Sequence, residues 1–252
     1  MTEPAIHHWT ASDGVDLAWR EVGAGRAVVL VHGLFSDANT NWIKFGHAGK
    51  LAAAGFRVIM PDLRAHGLSS KPHDPACYPD GILGRDLEEL VAHLELAEYD
   101  LGGFSLGART TVQAVGEGLE PRRAVLAGMG LEGLTGWQRR MGFFVDAIAN
   151  YDSASRGDPH WMAIQFMKTM KVDRVAAKRL LPTFTDARPE WLAAFTMPTL
   201  VLCGTEDRDN GSATGLVEAL PNATYTPVPG THMSSVAKPE FGDALTDFLT
   251  QA

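Results

Sequence analysis

No long hydrophobic run occurs in this 252-residue chain. The apolar stretches are short, as in Ala27 to Val31, and a membrane span needs about 18 or more consecutive apolar residues. A basic excess is also missing. The 22 Lys and Arg face 30 Asp and Glu, a net charge of −8, which argues against nucleic acid as a main partner because phosphate binding needs a basic face. Only two cysteines are present, Cys77 and Cys203, too few for a disulfide framework or a four-ligand zinc site. No set of His, Cys, Asp and Glu has metal-ligand spacing, and His7-His8 reads as exposed strand. No glycine-rich phosphate loop occurs, so no nucleotide is implied and no cofactor or metal is expected. The first residues, Met1-Thr2-Glu3-Pro4, lack a basic stretch leading into an apolar one. The reading is therefore a protein without a signal peptide, in a reducing cytoplasm.

What is present is an alternation of strands and helices. Residues 6–22 predict a hairpin around a two-residue Asp13-Gly14 turn. Ala27 to Val31, Phe56 to Met60, Leu101 to Phe104, Ala124 to Ala127, Thr199 to Cys203 and Ala223 to Val228 are short apolar runs, suited to buried parallel strands. Between them Leu83, Leu87, Leu90, Val91 and Leu94 recur at helical spacing, with Asp80 as the expected N-cap. Phe241, Ala244, Leu245, Phe248 and Leu249 do so again behind Pro239. The expectation is an α/β fold: a mostly parallel, twisted sheet with helices on both faces and right-handed crossovers.

One segment breaks the alternation. Residues 131–196 show no strand pattern but three helical ones: Trp137 to Ile148 behind Thr135, a helix opened by Asp158-Pro159, and Arg174 to Leu181 stopped by Pro182. Nine Lys and Arg against seven Asp and Glu set this stretch apart from an otherwise acidic chain. The predicted organisation is a core of residues 1–130 and 197–252 with a helical cap of residues 131–196. Four of the nine methionines and three of the six tryptophans fall in that cap, a composition that suits an adaptable apolar pocket as well as packing. Lys168, Lys171, Arg174, Lys178 and Arg179 read as a solvated face.

The chemistry centres on Gly103-Phe104-Ser105-Leu106-Gly107. An apolar strand runs into it and a helix-prone run follows. Glycines on either side let strand and helix approach while the serine projects from a strained turn. A serine nucleophile needs a base and an acid that orients it. Downstream of Ser105 stand two histidines. His232, just after the last strand, lies at the same sheet edge as Ser105, whereas His160 starts an inserted helix. Asp207, directly after the Thr199 to Cys203 strand, is the acid of choice, with its neighbours Glu206 and Asp209 competing for the role and Glu132, after the preceding strand, as a lesser candidate. The oxyanion needs backbone N–H donors: Leu106, after the nucleophile, and Leu34, in the loop His32-Gly33-Leu34-Phe35. His32 itself reads as a structural residue bonded within that loop.

These residues, with Asp62-Leu63-Arg64-Ala65-His66-Gly67-Leu68-Ser69, resemble the α/β-hydrolase-fold serine hydrolases over nearly the whole chain. The resemblance implies a carboxylesterase-like enzyme in which Ser105, His232 and Asp207 form a triad and Leu34 and Leu106 hold the oxyanion. Asp62 then corresponds to a structural aspartate. Related dehalogenases and epoxide hydrolases use an aspartate nucleophile, and position 105 is serine. The loop after His32-Gly33 lacks the triple glycine of bulky-alcohol esterases. The expected substrate is a small ester with a short or apolar acyl group. Lactone hydrolysis, carbon–carbon hydrolysis and perhydrolysis use the same triad, and a hydrolase-like receptor with little turnover belongs to a different class of function.

Overall fold

A computed structural model describes residues 3–251. The strands are β1 (Ala5–Thr10), β2 (Asp16–Gly23), β3 (Arg26–Val31), β4 (Phe56–Asp62), β5 (Tyr99–Phe104), β6 (Ala124–Ala127), β7 (Thr199–Gly204) and β8 (Ala223–Val228). They form one sheet in the order β1-β2-β4-β3-β5-β6-β7-β8. β1 and β2 run antiparallel to their neighbours and the other six strands are parallel.

The short apolar runs are strands because both of their faces are covered. Along β3, Val28 and Leu30 enter one core, with Leu51, Phe241, Leu245 and Leu249. Ala27, Val29 and Val31 enter the other, with Leu83, Leu87, Leu90 and Val112. Helices α1 (His47–Ala53), α2 (Ile82–His93) and α3 (Leu106–Gly116) supply these contacts in the first half of the chain. The chain between β6 and β7 contains α4 (Leu131–Thr135), α5 (Trp137–Ala149), α6 (Trp161–Thr169), α7 (Arg174–Leu180) and α8 (Pro189–Ala193), and no strand. Beyond β7 come α9 (Ala213–Ala219), α10 (His232–Ser235) and α11 (Pro239–Thr250). The expected mostly parallel α/β sheet, covered on both faces, is present. Among the described residues no helix is long and apolar enough to cross a membrane.

Three local expectations need correction. The hairpin loop is longer than a two-residue turn: Ala11 N–H donates to Val15 O, Gly14 N–H donates back to Ala11 O, and Gly14 takes φ 84°. Asp80 does not cap α2, since Gly81 holds the N-cap position at φ 74° without a side-chain bond. Thr135 does not cap α5. Its hydroxyl turns back onto Leu131 O, and the Trp137 N–H is met instead by Asp186 Oδ1 at 2.7 Å, 49 residues away.

Candidate active site

The strand-to-helix turn at Ser105 follows from backbone crowding. A Cβ on Gly103 would sit 2.1 Å from the Gly107 carbonyl carbon, and one on Gly107 2.0 Å from Val31 O. Only glycines let β5, β3 and α3 come this close. Ser105, squeezed between them, takes φ 55° and ψ −111°, a conformation that a non-glycine residue holds only when its surroundings impose it. Its Oγ is thereby pushed out beyond the end of the sheet.

Two neighbouring strand ends bring up the partners. β7 is followed by a turn in which Asp207 N–H donates to Gly204 O at 3.0 Å. β8 is followed by Thr231, whose side chain and that of Ser234 form a capping box that starts α10 at His232. The two loops are tied by Glu206 N–H on Gly230 O at 2.9 Å. The result is a line of three side chains. His232 Nδ1 lies 2.8 Å from Asp207 Oδ2, and Nε2 lies 3.0 Å from Ser105 Oγ. Donation from Nδ1–H to the carboxylate leaves Nε2 to accept from the serine hydroxyl. Burial works to raise the Asp207 carboxyl, but the hydrogen bond and charge of His232, the Asp209 N–H and the Arg140 charge outweigh it, so Asp207 stays below the usual carboxylate range. The Phe104 ring, 4.9 Å from the imidazole, walls its inner side.

The competing candidates lie elsewhere or serve differently. Glu132 accepts from Ser212 N–H at 2.7 Å. His160 packs on Phe143, with ring centroids 4.7 Å apart. Asp209 meets Asp207 through its backbone N–H. Asp207, Asp209 and His232 are close enough together to suggest a metal cluster, but two of the three are already bonded to each other and one to Ser105.

The loop after β3 is held at alternate residues. Gly33 N–H donates to Asn41 Oδ1 at 3.0 Å and Phe35 N–H to His66 Nε2 at 3.0 Å. Between them, among the described residues, the Leu34 N–H has no acceptor, and neither has the Leu106 N–H. Leu34, Leu106 and Ser105 line one recess. His32 is structural: Nδ1–H donates to Gly33 O at 2.8 Å and Nε2 accepts from Leu63 N–H at 3.0 Å. Asp62 braces the adjoining turns, accepting from Ala38 and Leu68 N–H, each at 2.8 Å, and pairing with Arg20.

Above Ser105 opens a cavity of about 710 Å³ with a mostly apolar lining, including Phe143, Phe144, Met162 and Phe166 from α5 and α6. Phe144 packs edge-on against Phe35 of the β3 loop at 5.8 Å, so the inserted helices touch the loop that carries the free N–H. Sequence reasoning quoted His66 without giving it a role, and missed Arg109 and Arg140. The available signal for Arg109 was a lone charge in a helix buried along almost its whole length.

Comparison with known proteins bears on the fold and the family. A family model described as the alpha/beta hydrolase family matches residues 28–241. An epoxide hydrolase of Caballeronia sordidicola is 38% identical over 98 residues, which cover 39% of this chain and 29% of that protein. The matches span about a third of the length of such curated relatives. An esterase from Exiguobacterium antarcticum superposes with a TM-score of 0.79 at 18% identity, over 97% of this chain and 99% of that one. An enol-lactonase from Burkholderia xenovorans LB400 does so with a TM-score of 0.75 at 23% identity, over 97% and 100%. With the family model covering most of its length and the fold matched end to end, the chain belongs to the alpha/beta hydrolase family.

Proposed function

We propose that the protein is a serine hydrolase that cleaves carboxylic esters of small acyl groups through an acyl-enzyme. The observation that carries the reading is the unbroken line from Ser105 Oγ through His232 to Asp207, at 3.0 and 2.8 Å, at the floor of the cavity. In this mechanism His232 Nε2 takes the hydroxyl proton as Oγ bonds to the ester carbonyl carbon. The Leu34 and Leu106 N–H groups hold the resulting oxyanion. Collapse breaks the bond to the alcohol, which leaves with the proton from His232. Water then attacks the acyl-serine, His232 takes its proton, and the acid departs as Ser105 is restored. Asp207 keeps the imidazole in the required tautomer and offsets its transient positive charge. Residues 131–196 act as a cap over the core of residues 1–130 and 197–252, and their aromatic and methionine side chains shape the pocket. Both cysteines are free thiols, which suits a reducing cytoplasm.

The test is hydrolysis of p-nitrophenyl esters from acetate to octanoate, with Ser105→Ala alongside. Wild-type turnover that peaks at short chains and falls about 10⁴- to 10⁶-fold in a folded Ser105→Ala is the expected result. Equal rates in the two proteins would overturn the reading.

A further inference from the structure

Two cations border the small recess beside Ser105, and among the described residues neither is bonded to a carboxylate. Arg109 stands one turn into α3 and is 7% exposed. Its guanidinium donates to Thr185 O at 2.5 Å and to Gly133 O, and lies over the Trp137 ring at 5.5 Å. Arg140, half-buried on α5, donates to Asn210 Oδ1 and lies 6.0 Å from the Phe144 ring. A guanidinium has five N–H donors, so each has several left over. Neutral oxygens satisfy donors but do not balance a charge, and a buried cation without a counter-ion is costly. Burial pushes Arg109 down to about 10 against the pull of Asp186, and the like charge of Arg140 acts in the same direction as burial. Among the described residues no carboxylate touches either guanidinium: Asp186 meets the Trp137 N–H and Asp207 meets His232, and their charges, with that of the exposed Asp209, offset the two cations only from a distance.

The recess also contains the proposed oxyanion donors, Leu34 and Leu106. Its volume of about 30 Å³ has room for a few heavy atoms. The wider cavity, with Phe143, Met162 and Met233 exposed, suits the alcohol, which must leave as water enters. The recess is therefore on the acyl side.

We propose that the substrate is an ester whose short acyl group ends in a carboxylate, and that Arg140 and Arg109 hold that anion in the recess beside Ser105. This deepens the ester-hydrolase reading and rests on it. The reaction is a half-ester anion plus water giving an alcohol, a dicarboxylate and one proton. The ester C–O bond breaks, and the water oxygen is retained in the new carboxylate.

The experiment compares ethyl hydrogen succinate with its neutral isostere ethyl succinamate, following ethanol release. Wild-type kcat/KM is expected to favour the carboxylate by about 10- to 100-fold. Arg140→Gln should bring that ratio to near one, and Arg140→Lys should restore part of it. A wild-type ratio at or below one overturns the proposal and leaves the esterase reading standing. Turnover of neither compound, nor of the p-nitrophenyl series, counts against the esterase reading instead. Anion recognition is then decided by thermal shifts with succinate and succinamide. Stabilisation by succinate alone, lost in Arg140→Gln, supports it, and equal responses in the two proteins overturn it. Arg109→Gln serves as a second variant only if it melts cooperatively, because Arg109 also ties α3 to Gly133 and Thr185.

Discussion

His66 is not hydrogen-bonded to Ser105, yet its ring holds the loop after β3 that carries the Leu34 N–H. Nδ1–H donates to Arg64 O at 2.9 Å, which leaves Nε2 to accept from Phe35 N–H. Phe35 is buried and takes φ 60°, a conformation that a non-glycine residue does not hold unaided. His66→Ala would leave the Phe35 N–H without its acceptor, at a cost of about 1–3 kcal/mol. The loop would then relax and carry the Leu34 N–H out of line. In the proposed ester hydrolysis, kcat should fall about 10- to 100-fold with KM little changed, since the lost interaction belongs to the transition state. Steady-state kinetics with a thermal melt checks this. A variant that melts lower but keeps wild-type kcat leaves His66 a purely structural role. The candidate site was legible in the sequence where reactive side chains coincide with strand ends. Ser105, Asp207 and His232 each follow a recognisable apolar run, so a shared sheet edge could be inferred from order alone. His66, Arg109 and Arg140 were not legible in this way. Their partners are backbone groups from distant loops, and no spacing in the chain encodes a contact between residues 66 and 35 or 109 and 185.

At the scale of elements, the same contrast separates periodicity from capping. The helical patterns of α2, α5, α6, α7 and α11 were visible because their buried positions recur about every 3.6 residues. Of the two expected caps that failed, Asp80 gave way to the adjacent Gly81 and Thr135 to a tertiary partner. α5 shows why. Its first N–H, at Trp137, is met by Asp186, so the element that carries Arg140 and Phe144 is fixed at its start by a residue from beyond α7. The indole of Trp137 adds a second tie, donating to Leu181 O at 3.0 Å. Asp186→Ala removes a helix cap worth about 1 kcal/mol. For a chain of this length that lowers the melting temperature by about 2–4 °C. It also frees the start of the helix that lines the cavity, so KM for an ester substrate should rise more than kcat falls. Asp186→Asn, which keeps the accepting oxygen, should recover most of the loss. If Asn performs no better than Ala, the cap is not what Asp186 supplies, and its charge beside Arg109 is the remaining contribution.

For the whole molecule, the buried histidines set the response to acid. Burial holds His32, His47 and His66 below the ordinary histidine range. His66, which also faces His32, is pushed down to about 3. The folded protein therefore refuses protons that the unfolded chain takes up from about pH 6.5 downward. Their stabilising contribution is complete above that pH and is lost as pH falls. Asp62 and Asp207 act with the same sign at lower pH. Burial works to raise both, but nearby positive charge and backbone N–H groups hold them below the carboxylate range, so their contribution is lost as pH falls through the acid range. Burial raises Asp86 to about 6 despite its two bonds to Arg64, and raises Asp100 as well; these groups favour the folded state as pH falls. The displacement of His66 exceeds that of Asp86, and two further histidines add to it, so the net effect is destabilisation by acid. His66 alone contributes on the order of 1 kcal/mol per pH unit between roughly pH 6 and 4. Urea unfolding at pH 7.5, 6.0 and 5.0 should show stability falling with pH in the wild type. In His66→Ala the protein should start less stable and lose stability more slowly, by about that slope. Parallel slopes in the two proteins would mean that His66 takes up its proton as readily in the fold as out of it, which its two backbone bonds, one through each ring nitrogen, argue against.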